Sequence, residues 1–455
     1  MSESLLHTIT TDYHHALSGP QALAEGKSFL SHLVDAKISY GGRQLCPFLR
    51  PKFISYEQRQ LITNVCHVLR GAIVKAKHAL LANEELFNMM ALTEGEKQLA
   101  SIEPGYRSIG VSTRLDSFLY KDELKFVELN AECPAGVAFS DAMQDEFTSY
   151  APLHSLRDRY RISGFDTRAI LLGNLLETYR EWGGRNIPNI AVIDWREVST
   201  RNEFELSADF FNRRGVPTIV CDPRDVEFVG GKLTVHGKVI DLVYRRVLTN
   251  DVLDRPDECK ALVEAYRAHA VCVVNSFRAK ILHKKMLFAV LHEPRVFSRY
   301  SPEERAVVRN HIPWTCNVAE GHVEGPDGAR IDLTPWISKH REDLVLKPND
   351  EYGGKGVVVG HTVDQATWED ALKTSLSQSS VVQVKVNLPT EVFPAIGRDN
   401  LGNECITYEP RYVDLDPYLF RGEVGGILTR LSATSLCNVT AGGGSVPTFV
   451  AEPLR

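Results

Sequence analysis

The sequence predicts a mixed α/β (α+β) protein built from several structural units. Apolar residues recur at helical spacing between Leu61 and Ile73, whereas residues 188–250 alternate strand-like and helix-like segments. An order of strand, helix and strand is typical of a parallel sheet. The chain has 455 residues, and a domain usually holds about 100–200, so roughly two to four units are expected.

The composition indicates an ordinary globular protein. Hydrophobic residues make up 43% of the chain and charged residues 24%. With 52 basic and 58 acidic residues the formal charge is −6. This balance argues against a nucleic-acid partner, because nucleic-acid binders are normally basic. No stretch reaches the apolar length of a membrane span, so no membrane partner is expected either. The sequence leaves the oligomeric state open.

The cysteines and the first residues favour a cytoplasmic protein. The nine cysteines are dispersed, form no CxxC pair and are odd in number, so a disulfide framework is not expected. We interpret them as small buried apolar residues in a reducing compartment. The opening segment MSESLLHTITTDYHH has no basic flank and no long apolar run, so no secretory signal is predicted.

The chain divides into four predicted regions. Residues 1 to about 105 are expected to be mainly helical. The segment SFLYKDELKFVELNAE predicts two strands around a turn at Lys121 and Asp122, and helical periodicity returns at about 164–182. The predicted regions are 1–187, with the helices and this hairpin; 188–275, a small parallel α/β layer; 276–385, a second α/β unit; and 386–455, a strand-rich tail.

Individual elements can be placed in the two middle regions. In 188–275, NIAVIDW and PTIVCDP predict strands around a helix that ends at Gly215, and a hairpin and a third strand follow. This layer lacks the GxGxxG fingerprint of dinucleotide-binding folds. In 276–385, RAKILHKKMLFAVLHE predicts one continuous helix. It is followed by the strand LVLKP, the loop NDEYGGKG, the strand VVVG, the helix TWEDALKTSL and the strand VVQVKV.

A group of carboxylate and amide side chains lies in the first hairpin. Glu128 and Asn130 are two residues apart on a predicted strand, so their side chains share one face. Asp116 is on the neighbouring strand, and a hairpin can bring it beside them. Two carboxylates and an amide oxygen form the hard oxygen site that Mg²⁺ prefers. The alternative is a solvated strand edge, but Asp116 and the nearby Arg114 favour a metal site.

A lysine and a glycine-rich loop follow an apolar strand in the segment LVLKPNDEYGGKGVVVG. Lys347 ends that strand, where burying an unpaired lysine is costly, so an anionic ligand would explain it. Glycines let backbone N–H groups approach phosphate oxygens closely. An ordinary hairpin turn is the alternative. The loop is neither a P-loop nor a kinase glycine loop, and it comprises Gly353, Gly354, Lys355 and Gly356.

Two further residues complete the predicted site. Gln383 lies near the end of the strand VVQVKV, and we interpret this position as a hinge beside an adenine; the alternative is an ordinary core strand. Arg430 lies in the segment GGILTRLSATS and could bind phosphate oxygens through two donors. The alternative for the glycine-rich segment after Arg430 is a surface Ω-loop.

The ordered motifs resemble those of the circularly permuted ATP-grasp ligases, in particular the synthetase domain of glutathionylspermidine synthase. In ordinary ATP-grasp proteins the metal ligands follow the lysine-bearing lid. Here RLDSF…FVELNAE comes first and LVLKP…GGKG second, as in the permuted group. The resemblance runs from about Arg114 to about Arg430. It implies a circularly permuted ATP-grasp fold, with 188–275 as a pre-ATP-grasp-like layer, 276–385 as the lid and 386–455 as the C-terminal part of the core.

The resemblance implies a role for the charged residues of the hairpin. Asp116, Glu128 and Asn130 would hold Mg²⁺. Arg114 would stabilise the phosphoryl group in transfer, and Arg430 would reach the phosphates from the far side.

The resemblance also assigns the nucleotide contacts. Lys285 resembles the first nucleotide lysine, with Lys280 and Lys284 as alternatives, and Lys347 resembles the second. The other implied contacts are Gly353, Gly354, Lys355 and Gly356, which would close over the phosphates, and Gln383 at the adenine hinge.

The implied activity is an ATP-dependent ligation. A small-molecule or peptide carboxylate would be activated as an acyl phosphate, and an amine would attack it to form an amide. The alternatives are another ATP-grasp chemistry, such as a carboxylate–thiol ligase or a phosphotransferase, and a non-catalytic ATP-binding module. The sequence departs from the family at Glu132, where aspartate is expected, and at Cys133–Gly136, which replaces a more polar run. Specificity for glutathione and spermidine therefore does not carry over.

Overall fold

Residues 2–351, 353–435, 437, 439 and 443–454 are described by a computed structural model. Its helices are α1 (Ser2–Ala16), α2 (Ala22–Asp35), α3 (Tyr56–Ala82), α4 (Glu84–Met89), α5 (Glu94–Ser101), α6 (Val137–Ser149), α7 (Ala151–His154), α8 (Thr167–Trp182), α9 (Arg201–Arg213), α10 (Thr249–Asp254), α11 (Lys260–Arg267), α12 (Lys280–His283), α13 (Met286–His292), α14 (Pro294–Phe297), α15 (Pro302–His311), α16 (Leu333–Lys339) and α17 (Gln365–Ser377).

Its strands are β1 (Ser39–Tyr40), β2 (Arg43–Gln44), β3 (Lys52–Ser55), β4 (Ser112–Tyr120), β5 (Glu123–Asn130), β6 (Tyr160–Ser163), β7 (Ile190–Ile193), β8 (Thr218–Cys221), β9 (Val226–Val229), β10 (Lys232–Val235), β11 (Lys238–Val239), β12 (Leu242–Arg245), β13 (Cys272–Val274), β14 (Thr315–Asn317), β15 (His322–Glu324), β16 (Arg330–Asp332), β17 (Leu344–Pro348), β18 (Val358–Val359), β19 (Ser380–Val384), β20 (Thr390–Arg398), β21 (Glu404–Val413), β22 (Asp416–Phe420), β23 (Glu423–Ser432), β24 (Gly444–Val446) and β25 (Thr448–Pro453).

The largest sheet joins distant parts of the chain. Its strands follow the order β20-β21-β23-β22-β4-β5, and β24 pairs with β23. Strand β4 pairs with β22 in antiparallel register, so that Arg114 lies opposite Tyr418. The predicted hairpin, with its turn at Lys121, is confirmed as β4 and β5. The strand-rich tail therefore builds one sheet with the hairpin that carries the acidic residues.

A parallel sheet forms the predicted small α/β layer. Its order is β13-β12-β7-β8, and each neighbouring pair is parallel. Helix α9 connects β7 to β8, as the sequence predicts. The chain then returns to the other side of β7 to form β12, so the strand order reverses between β7 and β12. Such a reversal opens a crevice at the carboxyl ends of the strands.

A third sheet and two helices form a separate layer in residues 315–384. The antiparallel order is β14-β19-β17-β18. Helices α16 and α17 contribute to its apolar core, in which Trp368 is fully buried beside Leu344, Leu346 and Val382. The indole N–H of Trp368 donates to the carbonyl of Ile337, 3.1 Å away, so this large side chain is buried without leaving a polar atom unpaired.

The N-terminal region is mainly helical, as predicted. Helix α3 begins at a capping box in which Ser55 accepts from the backbone N–H of Gln58 and the Gln58 side chain accepts from the backbone N–H of Ser55. Ile62, Val65 and Leu69 on α3 are buried, at the spacing that predicted the helix. The region also contains short strands, of which β3 pairs in parallel with β25. None of the helices in the described ranges combines the length and apolar character needed to cross a bilayer.

The prediction of one continuous helix over RAKILHKKMLFAVLHE is wrong. The structure divides the segment into α12 and α13, and Lys284 between them has an extended ψ of 134°. The carbonyl of Asn349 accepts from the backbone N–H of Lys285 at 2.9 Å, and its side-chain oxygen accepts from that of Met286 at 2.9 Å. Asn349 thus replaces the partners that a continuous helix would supply, which allows the break.

Candidate nucleotide and metal site

The β4–β5 hairpin holds four polar residues on one face. In its register Arg114 lies opposite Asn130, and Asp116 lies opposite Glu128. Residues two apart on a strand point to the same side, so these cross-strand pairs form a square of functional groups. A bulge follows Asp116 and ends this regular pairing. The prediction that a hairpin brings Asp116 beside Glu128 and Asn130 is confirmed.

Asp116 is held by three donors. Arg114 contacts both of its oxygens, with Nε 2.8 Å from Oδ1 and Nη2 3.2 Å from Oδ2. Arg430 places Nη2 2.7 Å from Oδ2, and Asn130 donates its side-chain N–H to Oδ1 at 2.9 Å. Asp116 therefore orients the two arginines and the amide as well as supplying charge to the site.

Two acidic residues that we did not identify from the sequence complete this cluster. Asp414 accepts from Nε of Arg430 at 2.7 Å, and Asp416 lies 2.8 Å from Nη2 of Arg430. Both carboxylates are fully buried. The available signal was the pattern Asp-Leu-Asp in DLDPYLF, which places two acids at strand spacing just as Glu128 and Asn130 are placed.

The buried charges shift one another's pKa values. Burial alone would raise the pKa of Asp116, but Arg114 and Arg430 hold it well below its usual range. Burial raises the pKa of Asp416 well above its usual value, and Arg430 opposes this only in part. The two guanidinium groups therefore favour the ionised form of Asp116, whereas burial disfavours that of Asp416.

The donor set fits a hard divalent cation. The Glu128 side chain makes no hydrogen bond to the rest of the described chain, and its nearest cationic neighbour is Nζ of Lys285 at 3.5 Å. Since Asn130 donates through its N–H₂ group to Asp116, its amide oxygen remains open. No group of three His, Cys, Asp or Glu residues suited to a metal occurs among the described residues. Mg²⁺ takes few protein ligands and completes its shell with phosphate and water, so the Glu128 carboxylate and the Asn130 oxygen suit it.

A cleft of about 350 Å³ lies between the hairpin and the sheet of residues 315–384. Its lining combines charged residues, among them Asp116, Glu128 and Arg430, with apolar residues such as Val345 and Leu388. A ligand pocket usually measures about 300–1,000 Å³ and combines apolar walls with a few polar groups. The cleft therefore has the size and the mixed lining of a ligand pocket.

Lys347 projects from β17 into this cleft. Its Nζ lies 2.7 Å from Oε1 of Gln383 and 3.2 Å from the carbonyl of Val127. Gln383 in turn donates its Nε2 to the Thr315 hydroxyl at 2.9 Å. Gln383 lines the cleft together with residues 384–388. Its side chain lies between Lys347 and Thr315 and thus positions the lysine, while its predicted role beside an adenine stays a prediction.

The lysines of the broken helix differ in their partners. Lys280 lies 3.1 Å from Glu132 and 2.7 Å from Asp350. Lys284 lies 2.9 Å from Glu96 and 2.8 Å from Asp350, so both belong to a buried ion network. Lys285 instead approaches Glu128 in the site. Of the three candidates only Lys285 is directed to the predicted metal ligands.

The glycine-rich loop lies partly at the cleft. Gly353 and Gly354 line it and have φ values of 64° and 76°. Gly356 has a φ of 71°, and a Cβ there would come within 2.7 Å of the Pro348 side chain, so glycine is required for the turn itself. Lys355 and Gly356 are not among the lining residues. The Lys355 side chain is 76% exposed and lies 3.2 Å from Glu351.

Part of the chain matches a known family. Residues 210–383 match the model of a family described as a circularly permuted ATPgrasp. The matched segment contains Lys285, Lys347, the glycine loop and Gln383, but neither the β4–β5 hairpin nor Arg430. The resemblance to circularly permuted ATP-grasp proteins, predicted from the order of the motifs, is confirmed, and so is the predicted fold class.

Individual proteins support the same fold. A solved structure of a glutathione synthetase-like effector from Globodera pallida is 12% identical, covers 96% of this chain and 99% of that one, and superposes with a TM-score of 0.58. At this identity the likeness shows the fold alone. Curated relatives are an uncharacterized protein of Mycobacterium tuberculosis and one of Mycobacterium bovis, each 23% identical over 363 residues. The alignment covers 73% of this chain and 59% of each relative, so the chain spans less than two thirds of their length.

Proposed function

We propose that the protein is an ATP- and Mg²⁺-dependent ligase that joins a carboxylate to an amine. The observation that carries the proposal is the square of Arg114, Asp116, Glu128 and Asn130 facing Lys347 across one cleft. A candidate cation site, two arginines and Lys347 in the lining of the cleft, with Lys285 beside Glu128, suit the transfer of a phosphoryl group. The free thiols of all nine cysteines are compatible with the cytoplasm as the place of action.

Each residue has a defined task in this reaction. Glu128 and Asn130 would hold Mg²⁺ together with Asp116, and the ion would supply positive charge to the phosphate oxygens. Lys285 and Lys347 would bind the phosphates. Nη1 of Arg430 forms no hydrogen bond within the described part of the chain, so it can donate to the transferred phosphoryl group.

Arg114 acts from the opposite side of Asp116. Its Nη1 donates to the carbonyl of Ala135 at 3.0 Å, and its other donors hold Asp116. The guanidinium is therefore fixed before substrate arrives, so no reorganisation is needed when charge develops on the acyl phosphate. The amine then attacks the activated carbonyl carbon and phosphate leaves.

Release of ADP that depends on both an amine and a carboxylate tests the proposal. We expect the purified chain with MgATP to release ADP when pooled amino acids and polyamines are added, and the mass of the product to correspond to a condensed amide. N-acetylated amino acids supply a carboxylate without a free α-amine, and polyamines supply amines alone, so ADP release should return to background when either pool is given by itself.

Other products would overturn the assignment in defined ways. A phosphorylated product that persists in the presence of amines would identify a phosphotransferase, and a thioester would identify a carboxylate–thiol ligase. Binding of ATP without any turnover across the pools would identify a non-catalytic module.

Lys347 should make nucleotide affinity depend on pH. Burial, together with Lys285, lowers the pKa of Lys347 from 10.5 to about 8, and Glu128 opposes the shift. Bound phosphates favour the ammonium form and raise this pKa, so binding takes up a proton above pH 8. The affinity for MgATP should therefore fall up to about tenfold per pH unit between pH 8 and the higher pKa of the complex.

Titration calorimetry at pH 7, 8 and 9 in two buffers of different ionisation enthalpy measures both the affinity and the proton uptake. In Lys347→Met the affinity should be lower and the proton uptake lost. Equal pH dependence in the wild type and in Lys347→Met would contradict a role for this lysine.

A further inference from the structure

The carboxyl edge of the parallel sheet brings two buried charges to neighbouring positions. Asp194 follows β7 and Arg246 follows β12, and the last paired residues of these strands are Ile193 and Arg245. The backbone N–H of Arg246 donates to the carbonyl of Ile193 at 2.9 Å, which fixes the register at this edge. The pair lies where the strand order reverses, at the carboxyl ends of the strands, which is the usual ligand position in open parallel sheets.

Arg246 has no acidic partner, although it is only 5% exposed. Its Nη1 donates to the carbonyl of Pro134 at 2.8 Å and to the Tyr244 hydroxyl at 3.1 Å. Its Nε is buried without a partner, and Nη2 contacts no hydrogen-bond acceptor in the described chain. The adjacent Arg245 is different, because its Nη1 lies 3.3 Å from Glu132. Burying a guanidinium without a counter-ion costs free energy. The burial of Arg245 is offset by Glu132, whereas no ion pair among the described residues offsets the burial of Arg246.

Two acidic side chains near Arg246 each have one carboxylate oxygen that accepts no hydrogen bond from the described residues. Asp194 is 8% exposed, and its Oδ1 accepts from the backbone N–H of Trp195 at 2.8 Å, whereas its Oδ2 has no donor among the described residues. Glu203 accepts through Oε1 from the backbone N–H of Gly136 at 2.7 Å, and its Oε2 is buried without a partner. Burial raises the pKa of Asp194 to about 6, and Arg246 opposes the shift. Neither acid comes within 4 Å of the guanidinium.

This group of side chains adjoins the predicted phosphoryl-transfer centre. Arg246 donates to the carbonyl of Pro134, and Arg114 donates to the carbonyl of the next residue, Ala135. The two arginines therefore bind successive carbonyls of one loop. A substrate held at Arg246 would lie next to the loop that also positions Arg114.

We propose that Arg246, Asp194 and Glu203 form a subsite for the α-amino-acid group of a substrate, with its carboxylate on Arg246 and its ammonium on the two acids. This inference rests on the proposed ligase function and adds the class of substrate. Opposite charges that were only structural would pair directly, because pairing offsets part of the cost of burial. Here the guanidinium of Arg246 and the two carboxylates stay apart, and each has hydrogen-bonding atoms without a partner in the described part of the chain. A bound zwitterion would supply a carboxylate to Arg246 and an ammonium group to the two acids. A guanidinium fork also matches the two oxygens of a carboxylate.

Ligand-observed NMR on the full chain, with and without MgATP, tests the subsite. The probes are the common L-α-amino acids, their decarboxylated amines and their N-acetyl derivatives. We expect one or a few amino acids to bind, and both the matching amine and the matching N-acetyl derivative to bind at least about tenfold more weakly. Arg246→Met should weaken binding of the amino acid by a similar factor and leave the affinity for MgATP unchanged.

Further variants keep the test decisive. If Arg246→Met fails to fold, Arg246→Lys, which keeps the charge but loses the fork, and Asp194→Asn should each weaken binding. Arg213→Met, at an exposed position of α9, is the matched control and should bind as the wild type does. Equal binding of the amino acids and their amines, or no effect of the Arg246 and Asp194 variants, would overturn the subsite.

The two proposals can fail separately. If MgATP binds but no amino acid does, the subsite is wrong and the nucleotide site stands. If amino acids bind in a manner that requires Arg246 but ADP is never released, the subsite stands and the ligase assignment falls.

Discussion

Replacing Glu128 with glutamine should abolish ATP turnover, with a loss of at least about a hundredfold to a thousandfold, while the chain stays folded. Glu128 is the one carboxylate of the hairpin face whose oxygens are not engaged by an arginine, so it supplies most of the open charge for Mg²⁺. Glutamine keeps the shape and removes the charge. Because the side chain is 20% exposed and makes no hydrogen bond to other described residues, little stability should be lost.

The measurement is ADP release across a Mg²⁺ titration, with circular dichroism as the test of folding. Glu123→Gln is the matched control, because Glu123 lies on the same strand with a side chain that is 64% exposed. It should leave turnover unchanged. Wild-type turnover and metal dependence in Glu128→Gln would remove Glu128 from the metal site and with it the main support for the proposed function.

Replacing Glu132 with glutamine should have the largest effect on stability. Glu132 is fully buried and lies 3.3 Å from Arg245 and 3.1 Å from Lys280. It also accepts from the backbone N–H of Thr249 at 3.1 Å. Removing this negative charge takes a counter-ion from both Arg245 and Lys280, which are buried. Breaking a buried ion pair costs about 3–5 kcal/mol. We expect a loss of that size in the free energy of unfolding, measured by urea denaturation.

The Glu132 carboxylate should also make the free energy of unfolding of the wild type depend on pH in the acid range. Burial raises the pKa of Glu132, but Lys280 and Arg245 lower it more, from 4.5 to about 2. A depressed carboxyl pKa stabilises the fold above the unfolded value and loses that contribution as the pH falls toward the folded value. Stability should therefore decline between about pH 4.5 and 2 in the wild type and less steeply in Glu132→Gln.

An exposed ion pair provides the contrast for this prediction. Glu103 lies 2.9 Å from Arg278, and its side chain is 64% exposed. Glu103→Gln should cost about 1 kcal/mol or less, because solvent screens such pairs. If Glu132→Gln were no more destabilising than Glu103→Gln, the ion pairs of Glu132 with Arg245 and Lys280 would not contribute to the stability of the fold as proposed.

The parts of the site that are local in sequence could be predicted. The face shared by Asp116, Glu128 and Asn130 follows from the two-residue period of a strand and a short hairpin, and both can be recognised in one segment. The glycines of the loop were recognisable for the same reason. The assignments of function to these residues stay predictions until they are tested.

The parts that depend on distant contacts could not be predicted. Asp414 and Asp416 join the cluster only because β22 pairs with β4, a partner just over three hundred residues earlier in the chain. The helix break at Lys284 depends on Asn349, and the choice among the three lysines depends on Glu96, Glu132 and Asp350. Periodicity within a segment carries no information about such partners, because tertiary contacts override local propensity.

The large sheet also has a consequence for how this chain acquires its site during synthesis. Strand β4 is made about three hundred residues before its neighbour β22 and the arginine-bearing strand β23. Until those strands emerge the β4 edge presents unpaired backbone groups, and Asp116 has only one of its two guanidinium partners. A nascent chain that stops before Asp414 therefore lacks Asp414, Asp416 and Arg430 of the proposed site. Assembly of that site has to wait for β22 and β23, and long-range pairing of this kind is a slow folding step.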